Sequence, residues 1–437
     1  MEKRNRFRGT IVTAAGTGIN LALGVLYTWS IFKGAIKQSI QAGGPGAFQW
    51  DPASLNDPYA VCCIVFACMM IAAGKIQDTF GPRITAIIGG VLVGIGLIWV
   101  SQTVSYLSWI LGFGVLAGAG IAFGYSAATP AALKWYPPTK TGRISGIVVS
   151  GFGLASVYIA PLAQYLLARS GIGGAMTFFG TAFFLVVGLL SLFLVNPPAG
   201  YTPPGFTERR GGTETGLGAR KQFEDRNTRP LDMIREPGFW LLWVLYFIGA
   251  GAGLMVIGSI AGMAKSSLGQ NAFLAVAILA IGNAAGRIAA GMLSDAIGRR
   301  RTLLSVFFFQ AILMLVAIPV TSAAASNAAL LLLVATLIGF NFGANLALFP
   351  SFSKDRWGMK NFGMNYGFLF TAWGAGGLVM GRVSETLFAR TGTFTVSFLA
   401  AAVSLLIGTI IILLMGDRKD EMRRALARRI MLDHARA

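Results

Sequence analysis

An arginine with no acid to answer it is the residue of this chain best placed to do chemistry. Arg287 stands in Gly282-Asn283-Ala284-Ala285-Gly286-Arg287-Ile288-Ala289-Ala290-Gly291, inside an apolar run from Phe273 to Leu293. A guanidinium in hydrocarbon costs from about 3 to well over 10 kcal/mol unless it faces a cavity, a partner or the interface. No other apolar run offers an obvious acid at that depth. A fork of donors that matches two carboxylate oxygens is therefore left for a carboxylate carried in by a ligand. Asn283, one helical turn earlier on the same face, adds a hydrogen bond to such a ligand. The competing reading is that Arg287 snorkels to headgroups or belongs to the basic loop that follows. Arg382 and Glu385, near the end of a later run, read as a local ion pair or an outer gate. His434, the single histidine, sits in a basic tail and does not have the setting of a proton relay. Cys62, Cys63 and Cys68 share one apolar run, which gives neither a disulfide framework nor paired metal ligands. No nucleophile, metal or cofactor constellation and no glycine-rich phosphate loop stands out, so neither an enzyme nor a bound cofactor is expected.

The elements that hold Arg287 are membrane spans. Of 437 residues, 55% are hydrophobic and 12% charged, about half the charge of a soluble domain. Twelve nearly charge-free runs recur: Ile11 to Phe32, Tyr59 to Ala73, Ile84 to Val100, Trp109 to Leu133, Ile144 to Ala168, Met176 to Val195, Phe239 to Met263, Phe273 to Leu293, Leu303 to Val320, Leu330 to Phe349, Phe362 to Met380 and Phe394 to Leu414. Most approach the roughly 20 residues a helix needs to cross the hydrocarbon. The short alternating segments of a barrel are absent. Many of the 57 glycines lie within the runs, where small residues let helices approach closely. The first run lacks a cleavage pattern and reads as retained.

The net charge of +19 reports topology. Lys and Arg assigned to alternate loops fall twenty-nine on the side of both termini and five on the other, at Lys33, Lys37, Arg169, Lys265 and Arg390. The positive-inside rule puts the basic side in the cytoplasm, against anionic headgroups and not against nucleic acid. The expected address is the inner (cytoplasmic) membrane, multi-pass, with the protein a monomer in the lipid bilayer.

Residues 196–237 are rich in Pro, Gly and charge and read as a cytoplasmic linker. They separate a six-helix bundle at 1–195 from another at 238–415, and 416–437 form a basic cytoplasmic tail. Each half repeats one phrase after its second run. In the first, Gly74, Asp78, Gly81 and Arg83 mark it; in the second, Gly291, Asp295, Gly298 and Arg300 stand at the same spacing. The first Gly permits close helix contact, the second a tight turn, and Asp and Arg bond charges or helix ends across the cytoplasmic seam. A further echo pairs Phe123-Gly124, Pro130, Gly146 and Phe152-Gly153 with Phe342-Gly343, Pro350, Gly367 and Trp373-Gly374. Duplicated halves place a substrate at their interface near the midplane and rock about it.

The doubled loop phrase resembles that of the major facilitator superfamily. Gly24-Val25-Leu26-Tyr27-Thr28-Trp29, Phe123-Gly124-Tyr125, Arg287 with Gly291-Met292-Leu293-Ser294-Asp295, Ala347-Leu348-Phe349-Pro350 and Asn365-Tyr366-Gly367-Phe368 extend the likeness across nearly all the runs. On those residues the chain resembles the oxalate/formate antiporter family, which is related to the monocarboxylate transporters. The resemblance implies an all-α membrane protein of twelve transmembrane helices in two pseudo-symmetric six-helix bundles. It also implies a substrate cage. The family's oxalate carrier faces its dianion with an Arg on the eighth helix and a Lys on the eleventh; Arg287 matches the Arg, while Trp373 falls at the Lys. Tyr27 and Tyr125 match cage tyrosines, Phe152 and Leu346 fall where the family has tyrosines, and Phe342 and Phe370 where it has tryptophans. A dianion against one Arg keeps an unpaired charge at a cost of several kcal/mol. The expected cargo is a small monocarboxylate such as lactate, pyruvate or formate, moved by exchange or with a proton, and the alternatives are a dicarboxylate exchanger or a carrier of an unrelated solute. For these aromatics singly, ordinary helix packing is the competing explanation.

Overall fold

The computed structural model describes residues 2–51, 54–198, 201, 203, 227–269, 273–321 and 327–415. Most of the expected linker and all of the expected tail, His434 included, lie outside the described residues. Among the described residues every regular element is helical, and ten helical stretches are long and apolar enough to cross a membrane. One of these, Pro138–Ser191, is far too long for a single crossing. It breaks at Gly171, whose φ of 68° is open to glycine, and so supplies the fifth and sixth spans. Phe362–Thr391 is the eleventh, which completes twelve crossings among the described residues.

The remaining spans follow in order. Glu2–Leu23 and Trp29–Ala42 form the first, joined by a 3-10 turn at Gly24–Thr28. Asp57–Phe80, Pro82–Ser101 and Tyr106–Leu133 are the second, third and fourth. Pro237–Leu268, Phe273–Ile297, Arg299–Thr321 and Ala328–Trp357 are the seventh to tenth, and Thr395–Leu414 the twelfth. An even number of crossings brings Glu2 and Met415 to one end of the bundle.

Two long helix pairs form the seam between the halves, and glycine sets both. The second span meets the eleventh, and the fifth meets the eighth. A β-carbon on Gly74 would run into the Gly363 backbone, and one on Gly291 into the Gly142 carbonyl. One step further in, Gly367 lies on the Met70 carbonyl and Gly146 on that of Arg287. Bare backbone on both sides lets side chains above and below these crossings reach across.

Candidate functional site

Arg287 is fully buried and does not reach the headgroups. Its helix explains this. Gly282 and Gly286 lie on the carbonyls of Thr336 and Phe340 of the tenth span, so close that a methyl group would clash. That packing turns Asn283 and Arg287, one turn apart, into the molecule. Arg287 Nε donates to Asn283 Oδ1 at 2.9 Å, and Nη1 donates to the Val149 carbonyl of the fifth span. Nη2 is buried without a hydrogen-bond partner. Among the described residues no carboxylate pairs with Arg287; the ion pairs are Arg299 with Asp295 and Asp355, and Arg382 with Asp57.

A cluster of aromatic rings lies beside this cation. Gly24 brings the 3-10 turn of the first span against Ala155 and the Phe152 carbonyl, which seats the Tyr27 ring edge-on to Phe152 at 5.1 Å and to Phe342 at 6.4 Å. Tyr27 is itself buried, near the guanidinium. Tyr125 packs on Phe152 and Phe370, each at 5.6 Å, with its hydroxyl buried and unpartnered. Phe370 stacks on Trp373 at 5.0 Å, and the Trp373 indole N–H is likewise buried and unpartnered. Leu346 is buried one turn beyond Phe342 on the same helix face. All nine sequence-derived candidates are thus buried, and every one but Leu346 meets another of the set through a ring contact or a hydrogen bond.

Three contributors escaped the sequence reading. Phe66 of the second span touches Tyr125, Phe152, Phe370 and Trp373, with centroids 5.6, 6.0, 5.0 and 5.4 Å away. Tyr246 of the seventh span lies 6.1 Å from Phe370, and its hydroxyl is 3.4 Å from that of Tyr366. Both sit in apolar runs where an aromatic at helical spacing gives no separate signal. The Val149 carbonyl has none at all, being backbone.

The repeated phrase closes the end of the bundle where the termini lie. Asp78 accepts from the backbone N–H groups of Gly363 and Met364 at 3.0 and 2.9 Å, and Asp295 from those of Gly142 and Arg143 at 2.9 and 2.8 Å. Each carboxylate caps the first turn of a helix in the opposite half, where N–H groups lack partners and the dipole favours an anion. Gly81 and Gly298, with φ of 86° and 97°, make the turns that follow. The arginines of the phrase act otherwise than expected. Arg83 donates to the Leu192 carbonyl at 2.7 Å and Arg300 to those of Ile412 and Leu413, all helix ends within their own halves. The cation beside Asp295 is Arg299, at 2.7 Å from Asp295 and 3.0 Å from Asp355, both of its own half. Lys354 adds a bond to Thr141 Oγ1 at 2.8 Å. Beside the first seam, Lys134 donates to Asn196 at 3.1 Å. Burial pushes its ammonium below the ordinary lysine value, and the nearby Asp78 carboxylate opposes that shift.

At the opposite end the halves stand apart. A cavity of about 130 Å³ rises from Tyr27 past Cys63, Tyr59 and Met255 to Asp57 and Arg382. Arg382, read from the sequence as an ion pair with Glu385 or an outer gate, has its guanidinium 3.9 Å from Asp57 across this cavity. The Glu385 side chain is outside the described side chains. Asp57 also accepts from the Tyr106 hydroxyl at 2.7 Å.

Residues 9–378 match the family model described as Major Facilitator Superfamily, and residues 255–430 match it again. The chain belongs to that superfamily. As a major facilitator it is a multi-pass membrane transporter for small molecules. It is 28% identical over 411 residues to the oxalate:formate antiporter of Oxalobacter formigenes, covering 91% of this chain and 90% of that one. It is also 28% identical over 340 residues to monocarboxylate transporter 13 of Bos taurus, covering 76% and 74%. Among solved structures, the human organic anion transporter MFSD10 superposes with a TM-score of 0.68 at 12% identity, over 93% of this chain and 99% of the other. The proton:xylose symporter XylE does so with a TM-score of 0.71 at 14% identity, over 93% and 96%. At such identities these two speak for the fold alone.

Proposed function

We propose that this major facilitator carries small monocarboxylate anions by alternating access, with Arg287 as the receptor for the carboxylate. The observation that carries the reading is the buried guanidinium with a free Nη2 and no carboxylate partner among the described residues. A fixed acid would neutralise that charge permanently; a mobile one does so only when cargo is aboard. The Tyr27 and Tyr125 hydroxyls stand by as further donors. Phe66, Phe152, Phe342, Leu346, Phe370 and Trp373 supply an apolar wall for a short organic body. With Trp373 apolar where a second cation would serve a dianion, one negative charge is the better fit. The likeness to an oxalate:formate antiporter and to a monocarboxylate transporter supports the class of cargo.

In this account residues 1–195 and 238–415 are the rocking halves, 196–237 their linker, and 416–437 a basic tail. The end closed by Asp78 and Asp295 faces the cytoplasm of an inner membrane, with both termini there, as the basic loops require. The cavity beside Tyr27 is then the outer approach, and Arg382 with Asp57 its gate. A counter-anion, or a proton travelling with the anion, completes the cycle.

The test is counterflow in proteoliposomes of labelled lactate, pyruvate, formate and oxalate, with and without an inward proton gradient. Uptake of one or more monocarboxylates, with oxalate excluded, is the expected result. Uptake of oxalate alone overturns the charge argument, and uptake of none overturns the class.

A further inference from the structure

The two seams of the bundle are built on one plan, and Arg287 stands in one where the other has an apolar side chain. On the fifth and eighth spans the contacts run Asp295 to the Gly142 N–H, Gly291 to Gly142, the Arg287 carbonyl to Gly146, and Ala284 to Gly153. On the eleventh and second they run Asp78 to the Gly363 N–H, Gly74 to Gly363, the Met70 carbonyl to Gly367, and Ala67 to Gly374. Met70 thus stands where Arg287 stands, four residues before the first glycine of the phrase in each half. The first seam ends upward in ring contacts of Phe66 with Phe370 and Trp373. The second ends in a cation bonded across the halves, Arg287 Nη1 to the Val149 carbonyl.

Gly142, Gly146, Val149 and Gly153 recur at helical spacing on one face of the fifth span. The capped end at Asp295 and the guanidinium are therefore two ends of one continuous contact. Gly153 leaves the room that lets the guanidinium in: a β-carbon there would sit 3.3 Å from Arg287 Nε and from the Ala284 nitrogen.

We infer that Arg287 is a latch as well as a receptor, its bond to the Val149 carbonyl holding the empty carrier closed to the cytoplasm until an anion draws the guanidinium away. This rests on the monocarboxylate reading above. A carboxylate that grips the guanidinium end-on takes the free Nη2 together with Nη1, the nitrogen that holds the Val149 carbonyl. A full negative charge outcompetes a neutral carbonyl for the same cation. Val149 and Gly153 are positioning residues in this scheme; they act through Arg287 and do not touch cargo.

The consequence is rectification. An empty carrier open outward is latched and turns inward slowly, whereas an empty carrier open inward gains the latch by turning outward. Net uptake then proceeds without a counter-anion, while efflux at saturating load waits on an anion from outside. A bond to a charged group changes such an equilibrium by on the order of tenfold or more.

The experiment uses right-side-out membrane vesicles with pH and potential clamped equal on both sides, and labelled L-lactate and pyruvate as probes. Efflux of saturating internal label into anion-free medium is expected to be about tenfold slower than efflux into saturating unlabelled anion. Uptake is expected to be indifferent to anion inside. Gly153→Ala, which sets a methyl group 3.3 Å from Arg287 Nε and so presses on the latched guanidinium, is expected to narrow the gap between the two efflux rates while exchange continues. Equal efflux rates in the wild type overturn the latch without recourse to any variant, as does a Gly153→Ala protein that exchanges with its rectification intact. Absence of exchange for both probes overturns the anion reading and the latch together, whereas exchange without rectification overturns the latch alone.

Discussion

Removing the Asp78 carboxylate is expected to open the end of the carrier where the termini lie. Asp78 holds two N–H groups of the opposite half, those of Gly363 and Met364, at 3.0 and 2.9 Å. Bonds to a charged group contribute about 1.5–3 kcal/mol each. Losing both in Asp78→Ala therefore shifts the balance between closed and open by about 3 kcal/mol at the low end, roughly a hundredfold. Asp78→Asn keeps one carbonyl acceptor without the charge and is expected to fall in between. Neither change touches the cage, so binding of cargo to the outward form should persist. The assay is alkylation of a cysteine introduced at Ser145, a buried position on the fifth span between the Gly142 and Gly146 contacts of the other seam, in a chain otherwise free of cysteine. Its rate follows the fraction of carriers open to the cytoplasm. A wild-type rate in Asp78→Ala would refute the reasoning, because the paired caps would then contribute nothing to closure.

Other outcomes follow from the same geometry. Asp295→Ala removes the matching pair of bonds to the first turn of the fifth span, so its opening should be comparable to that of Asp78→Ala in the same alkylation assay. Trp373→Lys restores a second cation beside Phe370 and is expected to turn substrate choice toward oxalate by tenfold or more, on the order of one charge-assisted bond, read as the ratio of oxalate to lactate counterflow. Gly146→Ala places a methyl group on the Arg287 carbonyl and should hold the seam apart, seen as lost transport in protein that still inserts and purifies normally. Cys63, in the outer cavity beside Tyr27, should react with a small polar thiol reagent from outside once Cys62 and Cys68 are replaced, and saturating lactate should slow that reaction.

Much of this architecture was legible because a bilayer leaves few choices. Long apolar runs must be helices, and the repeated Gly, Asp, Gly spacing announced two halves with matched seams; Asp78 and Asp295 do the same work in each. Arg287 was legible because a cation in hydrocarbon needs a reason. The arginines of the phrase were read less well. Which of Arg299 and Arg300 reaches Asp295 depends on the rotation of the helix after Gly298, whose left-handed turn sets the register, and neighbouring residues on a helix point about 100° apart. The approach of Asp57 to Arg382 was not legible, because Asp57 belongs to a helix of the other half that only the fold brings near. Phe66 and Tyr246 were hidden among rings that serve packing, and the Val149 carbonyl has no side-chain signature.

The central claim is that the unpaired guanidinium of Arg287 holds the carboxylate of the cargo. Counterflow of labelled lactate and pyruvate by wild type and Arg287→Gln, at matched amounts of folded protein in liposomes, tests it most directly. Loss of a charge-assisted grip should lower transport efficiency by at least about tenfold, with the variant still monodisperse in detergent. Arg287→Gln carrying either acid as well as wild type does would contradict the account.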